Sequence, residues 1–189
     1  AVPTRLEIDL SGSATVGTGT IRAVTESTEA VRRWAIWIAV ALLLVVFRAP
    51  VAALVPLVTM YVAVKITLWA LAWGAHLDLV SVFDGLPLYV TVIVYGAGVD
   101  YSLFLLARHE EELRDGCSAS DAVTRSLTSV GTAIAASAGT EIVGIGLLAS
   151  ADFGKFQQAG LGIAFGLAVL LVASLTLTPA ILYLTRRAT

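Results

Sequence analysis

The chain has 189 residues, of which 58% are hydrophobic and 14% charged, with a formal net charge of −2 and a mean hydropathy of +0.88. That is far too apolar for an ordinary soluble domain and places the chain in a membrane. Without a basic patch interleaved with aromatic residues nucleic-acid binding has no support, and the single cysteine, Cys117, excludes an intramolecular disulfide or a multi-cysteine metal site.

The chain opens at Ala1 within what reads as folded structure, so a piece of a larger protein is expected. Arg5 to Leu10 alternates polar and apolar residues, the pattern of a half-buried strand. The Gly/Ser/Thr-rich stretch Ser11 to Thr20 follows, in which Gly12, Gly17 and Gly19 form neither a dinucleotide fingerprint nor a phosphate loop and read as turn glycines. From about Ile21 the pattern turns helical. Residues 1–32 thus read as the tail of an extramembrane domain feeding a membrane helix.

Five apolar segments follow: Trp34 to Phe47, Val51 to Trp73, Leu86 to Ala107, Val123 to Ser150 and Phe156 to Leu184. They predict an all-α integral membrane fold, with five transmembrane helices over about 32–48, 50–73, 86–108, 122–150 and 156–185. The first is short and spans only if its flanking arginines snorkel. Arg48, Arg108, Arg114, Arg125, Arg186 and Arg187 fall on one set of connections, and Arg32, Arg33 and Lys155 on the other. This bias predicts the N-terminus outside and the C-terminus in the cytoplasm, with Trp34, Trp37, Trp69 and Trp73 as an interfacial aromatic belt at the outer ends. Arg108 to Asp121 reads as a long solvated connection without chemistry, closed by a capping box over Ser118 and Asp121. His76 and His109 fall on different connecting segments without the spacing of a metal pair, so neither a metal nor a cofactor is expected.

Three ionisable side chains lie inside the spans: Lys65, Asp100 and Glu141. A charge at bilayer depth costs several kcal/mol, and a chain that keeps one there usually needs a proton, an ion or a partner charge. Counted from the outer ends at helical rise, Lys65 lies about 12 Å deep, Glu141 about 14 Å and Asp100 about 21 Å. Lys65 and Glu141 thus share a level where an ion pair is geometrically possible, with Asp100 deeper and apart. Desolvation suits Asp100 to carrying a proton. Tyr101 beside it can donate to a carboxylate on another helix. Gly96, Gly98, Gly131, Gly139, Gly162 and Gly166 prepare close helix approach, and the hydroxyls of Ser137 and Thr140 join Lys65 and Glu141 in a possible polar network.

The run Gly96-Ala-Gly-Val-Asp-Tyr-Ser-Leu-Phe-Leu-Leu-Ala-Arg108, with Asp121-Ala-Val-Thr-Arg-Ser-Leu-Thr-Ser-Val-Gly131 and Leu175-Thr-Leu-Thr-Pro-Ala180, resembles the MMPL branch of the resistance-nodulation-division transporters over nearly the whole chain. The resemblance implies a protein of two similar halves. The five spans would be helices two to six of the first half, and residues 1 to about 32 the end of its α+β periplasmic porter domain. It implies export of lipids or other hydrophobic molecules across the bacterial inner membrane, driven by protons as coupling ion. Asp100 and Tyr101 would face a matching Asp-Tyr pair in the second half or in a second copy, a monomer and a homotrimer both being open. Glu141 departs from the threonine or apolar residue expected there and suggests an extra carboxylate on the proton route. The block also resembles sterol-sensing domains, which would make it a lipid-responsive module, and the auxiliary subunit of the protein-export machinery. The Asp-Tyr pair favours the transporter, since a sensor needs no titratable group at mid-depth.

Overall fold

The computed structural model describes residues 13–47 and 50–187, and among them all regular structure is helical. Five long helices form: α1 (Ser13–Phe47), α2 (Pro50–His76), α3 (Leu86–Arg114), α4 (Ala119–Gly146) and α5 (Gly154–Arg187), with a 3-10 turn over Leu147–Ser150 between the last two. The strand expected at Arg5 to Leu10 lies outside the described residues. Gly17 and Gly19, read from the sequence as turn glycines, lie instead inside α1. A helical glycine costs only about 1 kcal/mol against alanine, which a helix of 35 residues absorbs.

Among the described residues four helices are long and apolar enough to cross a membrane: Ala53–His76, Leu86–Arg114, Ala119–Ser150 and Gly154–Leu184. The apolar stretch of α1 begins at Trp34, directly after Arg32 and Arg33. All four tryptophans are exposed on the outside of the bundle, and Trp69 and Trp73, one turn apart, meet tilted at 46° with ring centroids 5.5 Å apart.

α5 touches α2, α3 and α4, and α3 also meets α1, α2 and α4. In lipid no hydrophobic force drives helices together, so close packing at small residues does much of the work. A Cβ on Gly166 would stand 3.2 Å from both Thr67 Cγ2 and Val94 Cγ2, and one on Gly162 3.0 Å from Leu86. Gly98 gives α3 the same intimacy with Met60 of α2. Gly131 has ordinary contact with Leu175, whereas Gly96 and Gly139 face open space and pack nothing among the described residues. One glycine pressed against backbone was not singled out by spacing: a Cβ on Gly160 would lie 2.8 Å from the backbone nitrogen of Ala149, where α5 crosses the 3-10 turn. At the other end of the bundle, the Thr59 and Thr178 hydroxyls bond at 2.9 Å, joining α2 to α5.

The connection between α3 and α4 is shorter and less solvated than its charges suggest. α3 runs on to Arg114 and closes in a Schellman cap, with Gly116 at φ 87°, its N–H bonded to Leu113 O, and the Cys117 N–H bonded to Glu112 O. Ser118 then caps α4, accepting from the Asp121 N–H at 3.2 Å. His109 therefore lies on α3, buried, and not on a connecting segment. Glu112 is buried too, its carboxylate held by Arg108 at 2.5 Å and facing Arg125 of α4 at 3.8 Å. It also accepts from the Cys117 thiol at 3.5 Å. Partial desolvation, and then this hydrogen bond, push the Cys117 thiol up from its ordinary value.

Gly160→Ala is expected to lower stability by about 1–3 kcal/mol through overpacking, measured by unfolding of the purified protein, while Gly139→Ala is neutral or stabilising by about 0.5–1 kcal/mol. At the α3–α4 turn, Glu112→Gln removes a carboxylate that opposes thiolate formation. Maleimide labelling of Cys117 at neutral pH should then become several-fold faster, and unchanged rates would remove Glu112 from the control of that thiol.

Candidate functional site

Asp100 and Tyr101 are neighbours on α3 and so point about 100° apart. That rotation separates their environments. Tyr101 is buried against α4, while Asp100 emerges exposed on the open flank of α3, with no hydrogen bond or ion pair among the described residues. The two meet again at a cleft of about 360 Å³ between α3 and α4, which Phe104, Ser137 and Glu141 also line. The Tyr101 hydroxyl donates to Glu141 Oε2 at 2.7 Å.

The possible ion pair between Lys65 and Glu141 is not formed. Lys65 is on α2 and Glu141 on α4, and these helices do not touch among the described residues, because α3 and α5 stand between them. Equal depth does not imply adjacency around the bundle. Lys65 lies exposed on the outer face of α2, its ammonium 5.6 Å from the centre of the Tyr61 ring one turn back.

Nor is Asp100 set apart from Glu141, as Cα depth suggested. Side chains on a helix lean toward its N-terminus. α3 and α4 are antiparallel neighbours, so Tyr101 leans toward the start of α3 while Glu141 leans the opposite way, and a gap of several ångströms between their backbones closes at the side-chain tips. The 3-10 turn after α4, rising about 2.0 Å per residue against 1.5 Å, lowers Glu141 a little further.

The polar network expected around these residues is only partly assembled. Ser137 lines the cleft with Asp100 and Glu141. Thr140 instead donates to its own backbone, at Ala136 O, 3.0 Å away. Thr67, Thr91 and Thr176 likewise bond the carbonyl four residues back, the usual recourse of a hydroxyl inside a helix. Spacing alone did not point to the Tyr101–Glu141 bond. The signal available was the paired oddity of a carboxylate on α4 and a phenol on α3.

The flank where Asp100 emerges, between α3 and α4, is thinly covered among the described residues. Only 11% of the apolar stretch of α4 is buried, against 44–56% for the other three candidate spans. Its exposed residues include Thr132, Ala133, Ala136, Ser137, Thr140 and Gly144, and exposed Gly96 stands one turn before Asp100.

The chain is 33% identical over 148 residues to the sulfolipid-1 exporter MmpL8 of Mycobacterium tuberculosis, covering 77% of this chain and 13% of that protein. It is 34% identical over 146 residues to the probable transport protein MmpL12 of the same species, again 77% and 13%. It is 28% identical over 177 residues to an apo-petrobactin exporter of Bacillus anthracis, covering 94% of this chain and 24% of that one. The chain thus spans about a quarter or less of the length of these relatives. The MMPL family model matches residues 1–189, and the chain belongs to the MMPL family.

Proposed function

We propose that this chain is the membrane block of a proton-driven exporter of lipids or other hydrophobic molecules, with Asp100 and Tyr101 as its proton relay. The observation that carries the reading is an exposed carboxylate well inside a candidate span, at the mouth of a cleft and without a partner among the described residues. Such a group is costly in hydrocarbon and useful in a proton path. Relatives named for exporting sulfolipid-1 and apo-petrobactin support an exporter, and an amphiphilic cargo is in keeping with both.

In this reading the five helices are helices two to six of the first half of a two-half transporter, and residues 1–32 end its periplasmic porter domain. The bare flank of α3 and α4 receives the second half, or a second copy, whose own Asp-Tyr pair faces Asp100. The protein sits in the bacterial inner membrane with the chain's N-terminus outside and its C-terminus in the cytoplasm. Binding of cargo belongs to the porter domains, and the membrane block converts proton influx into movement.

Asp100→Asn in the full-length protein is expected to lower proton uptake into pyranine-loaded proteoliposomes, and export of a fluorescent phospholipid, by about 100-fold. Its unfolding temperature should stay that of the wild type. Retained proton-dependent transport in this variant would overturn the relay.

A further inference from the structure

Glu141 is a second carboxyl inside a candidate span, and among the described residues no cation balances it. Lys65 is on a helix that α4 does not touch. α5 carries no titratable side chain between Lys155 and Tyr183, and α4 with its 3-10 turn carries none besides Glu141 between Arg125 and Asp152. Among the described residues the ionisable groups that face Glu141 are Tyr101 and Asp100, both from α3 and both lining the same cleft. Only Oε2 of Glu141 is engaged by the phenol, which leaves Oε1 able to accept a proton. At about 30 Å³ per water the cleft has room for several.

The geometry points to Glu141 as a second proton carrier of this half: it receives across the cleft the proton that Asp100 takes up, while Tyr101 serves as its hydrogen-bond donor. This rests on the proposed role of Asp100. In the transfer, the O–H bond of protonated Asp100 breaks and its proton passes to a cleft water, as that water releases a proton to Glu141 Oε1. Asp100 is left a carboxylate, Glu141 a neutral acid, and the water unchanged. The arrival also acts on Tyr101. A hydrogen bond to a charged acceptor is roughly twice as strong as one to a neutral group, so protonation of Glu141 loosens its hold on the phenol. Tyr101 is then free to turn from α4 toward the bare flank.

Glu141→Gln in the full-length protein separates proton carrying from scaffolding, because glutamine keeps the size and the accepting oxygen but takes no proton. Proton uptake into pyranine-loaded proteoliposomes is expected to fall about 10- to 100-fold, with the unfolding temperature unchanged. Wild-type uptake with wild-type pH dependence in this variant would overturn the inference. Asp100→Asn run beside it distinguishes the two readings. If Asp100→Asn still takes up protons, the relay itself fails and this inference with it; if Asp100→Asn is inactive and Glu141→Gln normal, this inference alone fails. Should Glu141→Gln not fold, labelling of the wild-type protein with dicyclohexylcarbodiimide, which attacks protonated carboxyls, decides. Modification mapped to Glu141 that fades as pH rises supports it, and none at any pH overturns it.

Discussion

The approach of α5 to α3 and α2 is the constraint on which the rest of the bundle hangs. With no water to expel between helices in lipid, the contact rests on dispersion between closely matched surfaces. Gly162 and Gly166 are where α5 presents backbone to the side chains of Leu86, Val90, Val94 and Thr67. α4 is held from two sides, by its packing on α5 and by the crossing of Gly160 over the 3-10 turn. That grip sets how far α4 stands from α3. A hydrogen bond of 2.7 Å between Tyr101 and Glu141 tolerates little change in the spacing, and the cleft beside it is what remains of the gap.

Much of this was legible in the chain. Long apolar segments marked the helices. The glycines at every fourth position of α5 marked a packing face, and Ser118 with Asp121 marked the start of α4. The errors have physical causes. Charges in Arg108 to Asp121 read as solvated, yet Glu112 is buried because arginines of two helices neutralise it. Lys65 and Glu141 were compared in depth, a single coordinate, while pairing also needs the angular order of helices around the bundle. That order is set by packing at individual glycines, Gly160 among them, and hydropathy says nothing of it. Asp100 and Tyr101 were identifiable as unusual residues, but which way each faces depends on where α4 lies.

The end of the bundle that holds the α3–α4 turn is tied in two ways. Beside the α3–α4 turn, Glu112 gathers Arg108, Arg125 and the Cys117 thiol around one carboxylate. Between α2 and α5 the tie is a chain of hydroxyls. Thr59 has one proton and donates it to Val55 O at 3.1 Å, so Thr178 is the donor in the bond between the two threonines. Pro56 and Pro179 lie close to this bond in their helices, where each removes a backbone N–H from the ladder. A directional bond therefore pins the two helices where their own backbones are weakest.

The bare flank of α3 and α4 has a mechanical consequence. Gly96, Gly139 and Gly144 meet nothing within 4 Å at the position of a Cβ, and between them lie alanines, serines and threonines. Helices that interlock through long side chains must change rotamers before they can shift. The short side chains of this stretch of α4 leave few knobs to withdraw, so a helix lying on it can shift readily, while Phe104 of α3, exposed one turn from Asp100, stands as a large side chain beside the cleft. Asp100 thus emerges between a smooth stretch of small residues on α4 and one bulky ring on its own helix.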